Sequence, residues 1–182
     1  MTRIVGGFAR GRRLAVPPGT ATRPTADRVR EGLFSALGDV AGRTVLDLYA
    51  GSGALGLEAL SRGAAAVTLV EKDPRAVATL RANVAVVDMP GAHVVSAPVA
   101  RYLAGEPSPF DVVLADPPYD DPVDELLTVL AKGWAADVVV VERARRTPAP
   151  AWPAPLRPWK ERTYGDTVLH FGALHHTSPD TG

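Results

Sequence analysis

The chain has 182 residues, of which 46% are hydrophobic and 22% are charged, so it is long enough to bury the core of one domain. It contains no cysteine, which excludes disulfides, thiolate metal sites, iron–sulfur clusters and a cysteine nucleophile. Its net charge is zero, but the first 30 residues hold seven arginines and one acid, a local charge of +6 that the remainder balances.

This charge asymmetry predicts a basic N-terminal arm, residues 1–20, that binds the phosphates of a nucleic acid. A basic end that is solvated and binds nothing is the alternative. No apolar run is long enough to span a bilayer, and the N-terminus lacks the apolar segment of a secretory signal. We therefore expect a soluble cytoplasmic protein. The four histidines show no metal-ligand spacing, so we expect no metal.

The basic segment begins with two strand-like stretches, residues 3–5 and 12–16, with glycines between them. This pattern predicts a small β-hairpin. Thr25 then has the character of an N-cap, and Val29, Leu33 and Leu37 form one apolar face of a predicted helix.

From residue 43 onward, strand-like and helical stretches alternate. Nearly continuous valine, leucine and alanine runs, such as Val138–Val141, predict a parallel sheet with helices on both faces. Two strand-like runs around Gly165 and Asp166 predict an antiparallel pair that closes the sheet. We expect an α/β, Rossmann-like fold with a mostly parallel seven-stranded sheet over residues 21–172, and a disordered tail over residues 173–182.

A glycine-rich loop follows the first strand of this sheet. Gly51, Gly53 and Gly56 have the spacing G-x-G-x-x-G between a strand and a helix, and Glu71 ends the next strand. Glycines let the backbone approach a ligand, and the carboxylate can accept hydrogen bonds from a ribose. The loop predicts an adenosine-containing cofactor and leaves NAD and S-adenosylmethionine both open. A tight turn without a ligand is the bland alternative.

Asp47, inside the strand before this loop, favours S-adenosylmethionine over NAD. A buried carboxylate needs partners. Loop amides or the ammonium group of an amino-acid-like cofactor would serve, whereas a dinucleotide pyrophosphate would repel it.

The stretch DPPY, Asp116–Tyr119, follows the fourth strand of the parallel series, at the same sheet edge as the glycine loop. Asp116 and the Pro117 carbonyl are acceptors, Pro118 stiffens the chain, and the Tyr119 ring can stack. Two acceptors beside a ring match the exocyclic amine of a nucleobase, held in line with a sulfonium methyl group. The alternative is an ordinary Asp-Pro-Pro turn with Tyr119 in the core.

At this point the chain resembles the S-adenosylmethionine-dependent amino-methyltransferases, through LDLYAGSGALGLEAL and DPPY. More narrowly, RIVGGFARGRRL, TRPTADRVREGLF, AGSGALGLEALSRGA and DPPY, in this order, resemble the bacterial 16S ribosomal RNA guanine-N2 methyltransferases of the RsmD type. The likeness runs from about residue 3 to residue 172. It implies a class I methyltransferase fold, S-adenosylmethionine as cofactor, and 16S rRNA within an assembling or assembled small subunit as partner. We expect a monomer.

The resemblance also implies residue roles. Gly51 and Gly53 would cradle the methionine part of the cofactor, Glu71 would hold the ribose, and Ala97, through its backbone, would lie near the adenine. The full set of expected cofactor contacts is Thr25, Arg28, Asp47, Ala50, Gly51, Ser52, Gly53, Glu71, Lys72, Ser96, Ala97 and Asp116. Arg28 as a helix-surface charge is the alternative for that residue. The expected RNA contacts are Arg3, Arg10, Arg12, Arg13 and Arg23, and the catalytic residues are Asp116, Pro117, Pro118 and Tyr119.

Three rival functions remain open on the sequence. An amino-methyltransferase acting on adenine N6 or cytosine N4 shares DPPY, but a DNA enzyme would normally need a recognition domain for which there is little room. A nicotinamide-dependent oxidoreductase shares the glycine loop and Glu71 but leaves DPPY and Asp47 unexplained. A non-catalytic RNA-binding module would not need the loop, the acid and DPPY together.

Overall fold

The N-terminal segment forms a small antiparallel hairpin beside a long helix. The structure, a computed structural model, describes residues 2–19 and 24–175. Strand β1 (Thr2–Arg3) pairs with β2 (Arg13–Leu14), and helix α1 spans Pro24–Leu37. The predicted hairpin is confirmed, with shorter strands than expected. The helix begins at Pro24, one residue before the predicted cap Thr25, because the fixed φ of proline suits a first helical position.

The remaining elements alternate between strand and helix until the last two strands. Within the described residues, the main sheet contains β3 (Thr44–Leu48), β4 (Ala66–Glu71), β5 (Ala92–Ser96), β6 (Phe110–Ala115), β7 (Ala135–Ala144), β8 (Arg157–Tyr164) and β9 (Thr167–Ala173). The helices between them are α2 (Ala54–Ser61), α3 (Pro74–Val87), α4 (Val99–Leu103) and α5 (Val123–Leu130).

The strand order places a crevice between β3 and β6. The order is β5-β4-β3-β6-β7-β9-β8, in which the first five strands are parallel and β9 and β8 run antiparallel. The order reverses direction between β3 and β6, and ligands of open α/β sheets bind outside the carboxyl ends of the strands at such a point. The predicted fold, including the closing antiparallel pair, is confirmed.

Helices cover both faces of the sheet. Along β7, Val138 and Val140 join the core shared with α1, α2 and α3, while Val139 and Val141 join the core shared with α4 and α5. This alternation follows from the two-residue period of a strand, and both sets are apolar because both faces are buried. Full burial of each such side chain contributes about 1.5–3 kcal/mol.

The N-terminal hairpin packs along α2. Ile4 and Leu14 are buried in the core on that face of the sheet. The fully buried Glu58 of α2 accepts hydrogen bonds from the amides of Val5 (2.9 Å) and Gly6 (3.1 Å) and from Nε of Arg30 (3.3 Å). A buried carboxylate is stable only with such partners, so Glu58 ties the hairpin and α1 to α2.

The turn of the hairpin lies at the end of α2 that is remote from the glycine loop. The Phe8 amide donates to the carbonyl of Ser61, the last residue of α2, at 2.8 Å. Gly7 has a φ of 81°, and a Cβ there would come within 2.0 Å of the same carbonyl, so only glycine fits. An eight-residue helix is about 12 Å long, which separates this turn from the loop at the start of α2.

Candidate active site

A cleft of about 1230 Å³ opens at the carboxyl ends of β3, β6 and β7. Its β3 side consists of Asp47 and residues 49–52, and its β7 side consists of residues 142–146 with Asp166 and Thr167. Asp116, Pro117 and Tyr119 line the middle of the same cleft. The structure thus brings the glycine loop and DPPY together, as the strand order predicts.

Asp47 is the buried acid of the β3 side. Its carboxylate is only 2% exposed, and Oδ2 accepts a hydrogen bond from the Gly56 amide at 2.9 Å. Burial raises the pKa of Asp47 to about 7, the Gly56 amide opposes that shift, and the charges of Asp116 and Glu71 add to it. This group therefore gains a proton easily near neutral pH, and a cation placed beside it would favour the charged form.

Glu71 holds the glycine loop from the neighbouring strand. Its Oε1 accepts from the Gly51 amide at 2.9 Å, and its Oε2 accepts from the Asp73 amide at 2.8 Å. The end of β5 lies next to it, since Glu71 pairs with Ser96 and its carbonyl accepts from the Ala97 amide at 3.0 Å. Glu71, Ser96 and Ala97 therefore form one group at the carboxyl ends of β4 and β5, beside the glycine loop.

The three glycines of the loop meet different requirements. A Cβ on Gly53 (φ 83°) would meet Leu80 at 2.3 Å, and one on Gly56 would meet Leu69 at 2.7 Å, so these two permit close packing of the helix on the sheet. Gly51 (φ 57°) has no atom within 4 Å of its Cβ position. A side chain there would enter open space at the cleft, where the bare backbone leaves room for a ligand.

The DPPY segment presents its polar groups differently from the β3 side. Asp116 is exposed, Pro117 is buried with its edge on the cleft, and Pro118 and Tyr119 are exposed. The Tyr119 ring, 60% exposed, lies under the guanidinium of Arg146 at 5.5 Å from the ring centroid. An accessible carboxylate beside an accessible aromatic face can receive a planar, amine-bearing group.

The remaining expected cofactor contacts lie around the cleft. Ala50 and Ser52 line it, whereas Lys72 is exposed just beyond β4, and Arg28 is exposed on α1 and does not line it. Thr25 lies in α1, and its side chain is outside what the structure describes.

The expected RNA-binding arginines lie on the N-terminal segment. Arg3, Arg10 and Arg13 are exposed. Arg12 is also exposed, but its guanidinium donates to the Val87 carbonyl at the end of α3. Arg23 lies outside the described residues.

Tyr49 is a candidate functional residue that the sequence analysis missed. It has a φ of 59°, a backbone conformation that costs energy for a bulky residue. Residues in such strained conformations cluster at functional sites. Tyr49 lines both the main cleft and a smaller cavity of about 480 Å³ between α4 and α5. Burial and the Asp121 charge raise its pKa. An aromatic residue directly before A-G-S-G could have pointed to it.

Three arginines on the β7 side were missed as well. Arg143, Arg145 and Arg146 line the cleft, and the guanidinium of Arg146 lies over the Tyr119 ring. In the sequence they belong to the run ERARR, which has the composition of an ordinary solvated segment. Across residues 2–19 and 24–175, no group of three or more histidines or acids is placed to hold a metal ion, and no helix is long and apolar enough to cross a membrane.

Comparison with known proteins gives matches over nearly the whole chain. Residues 2–173 match the family described as "Conserved hypothetical protein 95". The chain is 41% identical over 171 residues to ribosomal RNA small subunit methyltransferase D of Escherichia coli strain K12, covering 91% of this chain and 86% of that protein. It is 34% identical over 174 residues to the putative rRNA methyltransferase YlbH of Bacillus subtilis strain 168, covering 91% and 95%. The solved structure of the putative methyltransferase yhhF from Escherichia coli superimposes with a TM-score of 0.86 at 38% identity, covering 97% and 99% of the two chains.

Proposed function

The chain belongs to the conserved hypothetical protein 95 family, the RsmD-type methyltransferases, and we propose that it transfers a methyl group from S-adenosylmethionine to the N2 amine of a guanine in small-subunit ribosomal RNA. One observation carries the proposal: Asp116 and Pro117 line the same cleft as Asp47 and Gly51. An amine acceptor site and a nucleoside-cofactor site therefore share one space. The substrate assignment rests on the names of the relatives, which are ribosomal RNA methyltransferases.

The residues of the β3 side fit S-adenosylmethionine. The Asp47 carboxylate would pair with the ammonium group of the cofactor. That positive charge would lower the raised pKa of Asp47 and keep the carboxylate charged. Gly51 would let the methionine part lie against bare backbone, and Glu71, next to Ala97, would accept from the ribose. When bound, the cofactor supplies an electrophilic methyl group on a positively charged sulfur.

The acceptor amine would be held by the DPPY segment. Asp116 and the Pro117 carbonyl each accept one N–H hydrogen bond, which concentrates electron density on a nitrogen whose lone pair is otherwise delocalised into the ring. The proton that this nitrogen loses as it gains a carbon substituent passes to the Asp116 carboxylate. Since Asp116 is exposed, it can release that proton to water.

Tyr119 would hold the base in the plane that this geometry requires. Its ring is 60% exposed beside Asp116, and stacking a base on such a ring contributes about 1–3 kcal/mol. That gain offsets part of the few kcal/mol needed to unstack a nucleotide from its strand. A guanine in a loop of the RNA would cost less than one in a duplex.

The N-terminal hairpin would contact the RNA backbone away from the target. Arg10 on the turn and Arg13 in β2 are exposed, and Phe8 on the turn is 85% exposed while its amide donates to the Ser61 carbonyl. Arginines bind phosphates and exposed rings stack on unpaired bases. We extend the same role to Arg3 and Arg23, and give Arg12 a smaller share because Val87 occupies its guanidinium.

Transfer of a labelled methyl group tests this function. Purified protein, methyl-labelled S-adenosylmethionine and small ribosomal subunits from cells lacking this protein should give label in the small-subunit RNA. Duplex DNA of equal mass should remain unlabelled, and NAD should not displace the cofactor in a calorimetric titration. Label in DNA, or binding of NAD in place of S-adenosylmethionine, would contradict the proposal.

A further inference from the structure

Three arginines give the β7 side of the cleft a positive charge that the proposed methyl transfer does not use. Arg143, Arg145 and Arg146, which we call the arginine edge, all line the cleft. Strand β7 continues past the end of β6, because Ala115 at the end of β6 pairs with Val141. The arginine edge therefore lies beyond the end of β6, on the side of the cleft away from the glycine loop, and Arg146 reaches Tyr119 of the DPPY segment.

The backbone of the arginine edge is fixed. Arg143 pairs with Val168 of β9, and the Arg145 amide donates to the Asp166 carbonyl at 2.7 Å. A turn follows, in which the Thr147 amide donates to the Ala144 carbonyl at 3.0 Å. The guanidinium groups thus extend from a rigid frame, which lowers the entropy lost when they bind a ligand.

The side chains of the arginine edge are wholly or partly exposed to solvent. Arg145 and Arg146 are exposed, and Arg143 is half-buried. Among residues 2–19 and 24–175, none of the three forms an ion pair with a carboxylate. Glu142 and Asp166 line the same side and are outnumbered by the three arginines. Guanidinium forks that are accessible and unpaired match phosphate oxygens.

The position of Arg146 relates this edge to the target base. Its guanidinium lies 5.5 Å from the centroid of the Tyr119 ring, over the face on which a base would stack. A phosphate bound by Arg145 or Arg146 would therefore belong to a nucleotide next to the one in the cleft. The hairpin turn, in contrast, lies at the far end of α2.

We propose that the arginine edge binds the backbone phosphates that flank the target nucleotide, so that the RNA strand enters over the end of β7. This inference rests on the proposed function and adds a binding site to it. The base that enters would take the place of the Arg146 guanidinium over Tyr119, and the displaced arginine would turn to the adjoining phosphate.

A matched pair of double variants tests the inference. Arg145→Ala/Arg146→Ala removes two charges from the edge, and Lys132→Ala/Arg157→Ala removes two exposed charges near the start of β7 and the end of β9, at the opposite edge of the sheet. Binding is measured with fluorescently labelled small-subunit RNA over a series of salt concentrations. The edge variant should lose about tenfold in affinity and reduce the slope of log K against log salt by about 1–2. The control should change by less than about twofold.

Three further arms make each outcome decisive. Arg145→Lys/Arg146→Lys should recover most of the lost affinity, since lysine still binds phosphate as a point charge. S-adenosylmethionine affinity should be equal in all variants, which shows that they are folded. Inorganic phosphate at matched ionic strength should weaken RNA binding more in the wild type than in the edge variant, because it competes for the same guanidinium groups. Equal RNA affinity of the edge and control variants would overturn this inference alone if the wild type still methylates the RNA. Failure of the wild type to transfer a methyl group would overturn the proposed function, and this inference with it.

Discussion

The two sides of the cleft satisfy their polar groups in different ways. On the β3 side, Asp47 accepts from the Gly56 amide, and the neighbouring Glu71 accepts from the amides of Gly51 and Asp73. On the β7 side, Arg145 and Arg146 extend into solvent from a fixed backbone. The β3 side is thus organised before any ligand arrives, whereas the β7 side presents charges that a ligand must complete.

This difference fits the two kinds of ligand that we propose. A small cofactor is the same molecule in every turnover, so a rigid shell that is already hydrogen-bonded binds it with little reorganisation. A large RNA brings its own charges and shape, and exposed arginines attract it over distance before contact. Asp116 lines the cleft between these two sides.

The largest effect, on the rate of methyl transfer, should come from Asp116 in the middle of the cleft. Asp116→Asn keeps the shape but removes the charge and the proton acceptor, so methyl transfer should fall by at least about 100-fold. Affinity for S-adenosylmethionine, measured by calorimetry, should change by less than about threefold. Asp120→Asn, an exposed neighbour, is the control and should be close to wild type in both. If Asp116→Asn instead lost affinity for the cofactor, Asp116 would be a cofactor-binding residue like those of the β3 side.

The next largest effect should be confined to the β3 side. Glu71→Gln leaves one oxygen for two backbone amides, and hydrogen bonds to a charged group contribute about 1.5–3 kcal/mol each. Cofactor affinity should therefore fall about tenfold or more, while RNA affinity stays the same. Glu106→Gln, an exposed acid elsewhere, should leave both unchanged. Loss of RNA binding in the Glu71 variant would show that the two sides are not separable.

Asp47 should make the free energy of unfolding depend on pH, an effect of intermediate size. Its pKa is about 7 in the folded protein against an ordinary value of 3.8, so the folded state binds a proton that the unfolded state has lost between these values. The free energy of unfolding therefore falls as pH rises from about 4 to about 7, by at most about 1.4 kcal/mol per pH unit for one group. Asp47→Asn should remove this pH dependence, so the free energy of unfolding of the variant should rise relative to that of the wild type at high pH. Urea unfolding of both proteins at pH 5 and pH 8 measures it. A difference in unfolding free energy that is the same at both pH values would contradict a raised pKa.

The smallest effect on RNA affinity should come from the hairpin. Arg10→Ala/Arg13→Ala should lower RNA affinity by about threefold, because Arg10 lies on the turn at the far end of α2 and Arg13 lies in β2 without lining the cleft. Arg12 is left in place, since its bond to Val87 supports the fold. This double variant should lose less RNA affinity than Arg145→Ala/Arg146→Ala. A larger loss would make the hairpin, and not the arginine edge, the main RNA contact.

Local patterns were enough to predict most of the elements that build this cleft. The apolar face of Val29, Leu33 and Leu37 predicted α1, and continuous valine runs predicted β7 in a sheet covered on both faces. The G-x-G-x-x-G spacing placed Gly51 at a strand end because such loops depend on backbone geometry that few residues other than glycine adopt. The strand order then brought DPPY to the same edge.

Long-range pairing accounts for what was missed. Glu58 bonds to amides that are 52 and 53 residues away, and nothing local to α2 marks it as the acid that holds the hairpin. The arginine edge has the composition of an ordinary solvated loop, and only the register of β6, β7 and β9 turns it toward Tyr119.

The identity of the methylated nucleoside shows whether this cleft presents a guanine amine to the methyl donor. Small subunits treated with wild-type protein and S-adenosylmethionine would be digested to nucleosides and analysed by mass spectrometry. We predict N2-methylguanosine with the wild type and none with Asp116→Asn. N6-methyladenosine or N4-methylcytidine in its place, or an equal yield from the variant, would contradict the account.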